Sequence, residues 1–241
     1  MIVTPERRVD APYWSVSGFA EGVRLSMPAV PVMALFGIAF GTVAVQKGLT
    51  LLEATFMSTL TFAGASQLVA AEIWTDPMTF ATISTLGLVT AAVNMRFVLM
   101  AASLRPWLGE FPAWQTYPAL SLLTEPGWLI AMRYRAEGGT RSLVLLSSGI
   151  ALWLVWIAAT VFGYLLGALV TDPKRFGLDL VMPIFFIVLL VPLWHGPRRA
   201  IPWAVASATA LLVAGLVPGW WYIIAGAIAG SVAAGVPDER A

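Results

Sequence analysis

The sequence predicts an all-α integral membrane protein of about eight transmembrane helices, some of them broken near mid-membrane. Three observations lead there. Of 241 residues, 59% are hydrophobic and 11% charged, with a mean hydropathy of +0.83, whereas roughly a quarter of the residues in a soluble domain are charged. The apolar residues gather into stretches of about twenty, the length at which a helix crosses a ~30 Å hydrocarbon core. The segments between them are short, so residues 1–241 read as a single polytopic domain.

The stretches fall at 24–45, 52–74, 79–104, 116–133, 143–170, 178–194, 201–217 and 219–236. Before the first lies "MIVTPERRVDAPYW", which carries basic residues but lacks an apolar run of signal-peptide length; the first stretch is too long and Pro-rich for a cleaved leader and is expected to stay as a span. The second holds Gly64, Ser66 and Gln67 in its middle, the third Asn94 and Arg96, and the fourth is interrupted by "TEPG" around Glu125. The last two are divided only by "VPGWW", where Pro218 and Gly219 suit a turn; if that turn is no boundary, the count is seven. With eight spans, Arg7, Arg8, Arg24, Arg133, Arg135, Arg141, Arg198, Arg199 and Arg240 share one side against Lys47, Arg105, Lys174 and Arg175 on the other. Cytoplasmic loops are the richer in Lys and Arg, so both tails, 1–17 and 237–241, are expected in the cytoplasm. Trp14, Trp74, Trp107, Trp114, Trp220 and Trp221 flank spans, where indole rings anchor at the headgroups.

"FGIAFG" at Phe36–Gly41 recurs as "FGYLLG" at Phe162–Gly167. This echo suits either an internal duplication, common in secondary transporters, or close helix packing through small residues four apart, as also at Gly226/Gly230.

A formal net charge of +1 offers no surface for nucleic acid, and the absence of cysteine excludes disulfides and thiol chemistry. One histidine, His195, cannot build a multi-histidine metal site, and no Walker A loop or G-x-S-x-G elbow is present. No enzymatic activity, catalytic residue, metal or cofactor is expected.

Chemistry therefore rests on polar residues inside the spans. Arg96 lies roughly 8 Å from the centre of its span at 1.5 Å per residue, where an arginine costs about 2.5–3.5 kcal/mol. It either snorkels to the interface or faces a partner or a wet cavity. Asn94 is too short to snorkel and needs a buried partner or water. Two positions apart, these side chains point in nearly opposite directions on a regular helix, so either the helix unwinds or each serves a different neighbour. Gly64-Ala65-Ser66-Gln67 reads as a helix break, whose free N–H and C=O groups would cradle a zwitterion, or as a packing face with Gln67 bonding another helix. Glu125 could carry a proton, pair with Arg96, or start a helix with Thr124 near the cap and Pro126 in the first turn.

"GFAEGVRLSMPAVP", "FGIAFGTVAVQKGLTLLEATFMSTLTFAGASQ" and "NMRFVLMAASLRPWL", in this order and spacing, resemble the AzlC family of branched-chain amino acid permeases and exporters. The family's usual Thr-Asp-Glu corresponds here to Thr124-Glu125-Pro126, so the first acid is one methylene longer and the second is a proline. The resemblance implies a transporter of the cell membrane that exports valine, leucine, isoleucine, methionine or similar small neutral amino acids, together with a small AzlD-type membrane subunit. The expected substrate-binding residues are Gly64, Ala65, Ser66, Gln67, Asn94, Arg96, Thr124 and Glu125, with Glu125 also the candidate for proton coupling and membrane lipid the surrounding partner. The competing class is a membrane subunit that scaffolds a partner carrying the path.

Overall fold

The computed structural model describes residues 15–74, 79–169, 180, 187, 191, 196, 200–217 and 221–235. Nearly all of the stretch expected at 178–194, His195, the Pro218–Gly219 turn and nearly all of both tails lie outside the residues described. Among the described residues all regular structure is helical: α1 (Val16–Ser26), a 3-10 turn (Met27–Ala29), α2 (Val30–Gln46), α3 (Leu51–Thr61), α4 (Gly64–Ile73), α5 (Phe80–Leu108), α6 (Ala113–Ser121), α7 (Glu125–Ala136), α8 (Leu143–Ala168), α9 (Ile201–Leu216) and α10 (Trp221–Gly235).

Among the described residues, three helical stretches, Val16–Gln46, Phe80–Leu108 and Leu143–Ala168, are long and apolar enough to cross a membrane. The first begins before the expected residue 24, because Ser15 caps α1 by accepting from the Gly18 amide at 3.1 Å and so carries Glu21 and Arg24 on a helical turn ahead of the apolar run. Two further expected spans are each split into short helices. Residues 52–74 become α3 and α4, of 11 and 10 residues, each about 15 Å long and so half a bilayer core. Residues 116–133 become α6 and α7, of 9 and 12 residues.

The chain forms two compact units, one of residues 1–37 and 96–159, the other of 38–95 and 160–241. In the first, Leu104, Trp107, Leu108, Ala119, Leu123, Ala131, Leu143 and Leu145 make an apolar core. Trp107 is buried there, edge-on to Phe111 and tilted against Tyr134; the anchoring role expected for it is corrected, because Pro106 is accommodated inside α5 and the helix continues past it to Leu108. In the second unit α2 and α8 cross at their glycines. A Cβ on Gly41 would run into the Thr160 carbonyl oxygen and lie 2.6 Å from the Tyr164 amide, and one on Gly163 would lie 2.6 Å from Ile38 Cα. The two echoed hexapeptides thus meet in one helix crossing, which is the packing that small residues four apart allow. α9 and α10 form a hairpin in which Gly226 and Gly230 face Ala206 and Ala210.

Candidate functional site

The break between α3 and α4 is built at Phe62 and Ala63. Phe62 takes φ 23° and ψ 52°, a left-handed conformation that side chains rarely adopt, and Ala63 is extended at φ −145°. Glycine is therefore not the residue that bends; Gly64 is the first residue of α4. The first turn of a helix leaves its amides without intrahelical acceptors, and no side chain caps this one. Gln67 is the residue whose amide resumes the ladder, donating to the Ala63 carbonyl at 2.9 Å.

Ser66 and Gln67 are buried, and both line a cavity of about 380 Å³ together with Met57, Thr61, Ala70, Leu86, Gly87, Thr90, Ala91 and Asn94. Among the described residues, none on the wall carries a formal charge. The side-chain donors of the α4 turn point into the protein: Ser66 Oγ donates to the Ala63 carbonyl at 2.9 Å, and Gln67 Nε2 donates to Ser58 Oγ at 3.1 Å. Ser58 and Thr160, both buried, share a further hydrogen bond of 2.9 Å. Asn94 lines the cavity, and its Oδ1 is buried without a hydrogen-bond partner among the described residues.

A second cluster belongs to the other compact unit. Arg96 Nη2 contacts Glu125 Oε1 at 2.6 Å, with about a third of each side chain exposed, 35% and 37%. Arg96 Nε is buried without a partner among the described residues, while the guanidinium lies over the Phe97 ring at 5.2 Å. Glu125 opens α7, Pro126 sits in its first turn, and buried Thr124 caps it by accepting from the Gly127 amide at 3.3 Å. Trp128 Nε1 donates to Ser103 Oγ at 2.8 Å and ties this turn to α5. Two sequence readings of Glu125 thus hold together: it starts a helix and it pairs with Arg96. α5 runs without interruption through Asn94 and Arg96, so the helix does not unwind there: Arg96 pairs with Glu125, and Asn94 lines the cavity.

Of the residues singled out from the sequence, Ser66, Gln67 and Asn94 meet in one cavity and Arg96 meets Glu125. Gly64 and Ala65 lie in the α4 turn and Thr124 in the α7 cap. Sequence reasoning missed Ser58 and Thr160, which hold Gln67, and the stripe Gly87, Thr90, Ala91 and Asn94, whose helical spacing was the available signal. The acids at the span ends are otherwise engaged: Glu53 completes a capping box with Thr50, and Glu72 pairs with Lys47.

The family model described as AzlC protein matches residues 28–170, which include both clusters. A Helicobacter pylori protein named "Uncharacterized membrane protein" is 30% identical over 160 residues, covering 65% of this chain and 67% of that one. No solved structure matches the chain. With the family model spanning more than half of its length, this membrane chain belongs to the AzlC protein family.

Proposed function

We propose that this chain is a secondary transporter that exports branched-chain or other small neutral amino acids across the cytoplasmic membrane, coupled to protons. The observation that carries the reading is the uncapped first turn of α4 beside a cavity walled by neutral polar and apolar side chains. Amides at a helix N-terminus favour a carboxylate, so the Gly64, Ala65 and Ser66 N–H groups suit that end of an amino acid. Asn94, on the opposite wall of the cavity, is the side chain suited to its ammonium once the amide turns toward the ligand. A volume of about 380 Å³ lies near the small end of ligand cavities, roughly 300–1,000 Å³.

Arg96 and Glu125 are assigned to coupling. While Glu125 is ionised it holds Arg96; a proton on Glu125 removes that attraction and frees the guanidinium fork, which grips carboxylates with two parallel hydrogen bonds. The buried, unpartnered Arg96 Nε supports this, since one donor already lacks an acceptor in the paired state. The residue-rich apolar exposure of α5, at Ile83, Leu88, Met95, Val98 and Leu99, suits lipid or the small AzlD-type subunit.

The test is reconstitution of the full chain in liposomes, alone and with that subunit, measuring leucine, valine, isoleucine and methionine flux under an imposed pH gradient. Gradient-dependent flux is expected. Flux in neither preparation would overturn the proposal, and flux that liposomes holding the subunit alone reproduce would overturn it in favour of the scaffold reading.

A further inference from the structure

We infer that Gly87 sets the size of the side chain this cavity accepts, with Leu86 and Ala70 forming the apolar end of the subsite. The inference rests on the transport reading above and deepens it. Cavity-lining residues of α5 recur as Leu86, Gly87, Thr90, Ala91 and Asn94, one face of a helix. Asn94 and Gly87 are seven residues apart, about 10 Å along the axis at 1.5 Å per residue. On α4, Ser66 and Gln67 lie at the break and Ala70 one turn beyond it. The polar groups suited to an amino acid's charged end thus concentrate at the break and at Asn94, and the wall changes to Ala70, Leu86 and Gly87 farther along both helices.

Gly87 differs from the glycines that pack helices in the same unit. A Cβ on Gly41, Gly163 or Gly167 would strike neighbouring atoms of the protein, whereas a Cβ on Gly87 would meet no heavy atom within 4 Å. Helix packing therefore does not require glycine here. What a side chain at position 87 would occupy is the space of the cavity it lines. An aliphatic substrate side chain resting against Leu86 and Ala70 competes for that space, and one methylene in an apolar pocket changes selectivity by roughly ten-fold or more.

The experiment uses the full chain in liposomes with its small subunit and compares Gly87→Leu and Gly87→Ala with the parent. Labelled leucine and labelled alanine fluxes are measured, along with the ligand-free melting temperature and particle size in detergent. Gly87→Leu is expected to lose about ten-fold or more of leucine flux relative to alanine flux, with melting temperature and particle size unchanged. Gly87→Ala is expected to shift the same ratio less. Equal loss of both fluxes, or an unchanged ratio in Gly87→Ala should the leucine variant fail to accumulate, overturns the inference. An unchanged ratio with a changed particle size overturns it in favour of a helix docked in the Gly87–Ala91 groove. A parent carrying neither amino acid overturns the transport reading itself and this inference with it.

Discussion

At Arg96 the consequences of pairing can be separated from those of binding. The 2.6 Å contact to Glu125 means that either neutral substitution leaves one charge without its partner inside a span. Because both side chains remain about a third exposed, the cost falls below that of a fully buried pair: Arg96→Leu or Glu125→Gln is expected to destabilise by about 1–3 kcal/mol. The double variant should recover most of that loss in thermal unfolding; two additive losses would show that the pair contributes nothing. Arg96→Lys keeps the charge but not the planar fork. It is expected to fold like the parent and transport poorly, and near-normal flux would remove Arg96 from substrate handling. Ser58 gives a further residue-scale expectation. It accepts from Gln67 and shares a hydrogen bond with Thr160, so Ser58→Ala deprives two buried groups of a partner and should cost about 1–3 kcal/mol in unfolding assays. Asn94, Arg96 and Glu125 were legible in the sequence because a polar group in an apolar run violates its surroundings. Ser58 and Thr160 were not, since serine and threonine satisfy themselves on helix carbonyls and pass without notice.

Among elements, the helix crossing of α2 and α8 and the two split spans carry the architecture. At the crossing, backbone meets backbone at Gly41 and Gly163, so there is no flexible side chain to yield. Gly163→Ala is expected to lower stability by about 1–3 kcal/mol through overpacking, and a melting temperature equal to the parent's would mean that the crossing tolerates a methyl group. The hydropathy of residues 52–74 and 116–133 disclosed their existence as apolar stretches; "TEPG" disclosed that the second is interrupted, and "FAGASQ" offered a break in the first as one of two readings. The place of the first interruption was less legible. Glycine marks where bending is cheap, yet the chain turns at Phe62, whose ring is buried, and spends Gly64 on the start of α4. Tertiary burial of a phenylalanine outweighed local preference, a contest that propensity alone does not weigh.

For the whole molecule, the sequence already disclosed an α-helical membrane protein, because hydrocarbon leaves little choice of backbone structure. It could not disclose which stretches cross as single rods, since an apolar window of twenty residues has the same hydropathy whether its helix is whole or cut. Sidedness follows from the arginines around α7 and the loop after it. If α6 and α7 together cross the membrane with Arg133, Arg135 and Arg141 in the cytoplasm, Glu110 and Thr140 lie on opposite sides. The cysteine-free background makes this direct to measure: in whole cells a membrane-impermeant maleimide should label Glu110→Cys and leave Thr140→Cys unlabelled until the membrane is opened. Labelling of both from outside would refute the crossing.

The cut at Phe62–Ala63 has a further consequence for the resting state. Amides at the start of α4 have no intrahelical carbonyl ahead of them and no side-chain cap among the described residues, and lipid tails supply no acceptor. On the transport reading, water takes that place when no solute is bound, and the pocket beside the break is hydrated. On that reading, loading exchanges solvent for solute at these amides, and hydrogen exchange reports occupancy. Deuterium uptake at Ala65 and Ser66 should outpace that in mid-α8 and slow when leucine is added; uptake as slow as in mid-α8 would mean a dry break.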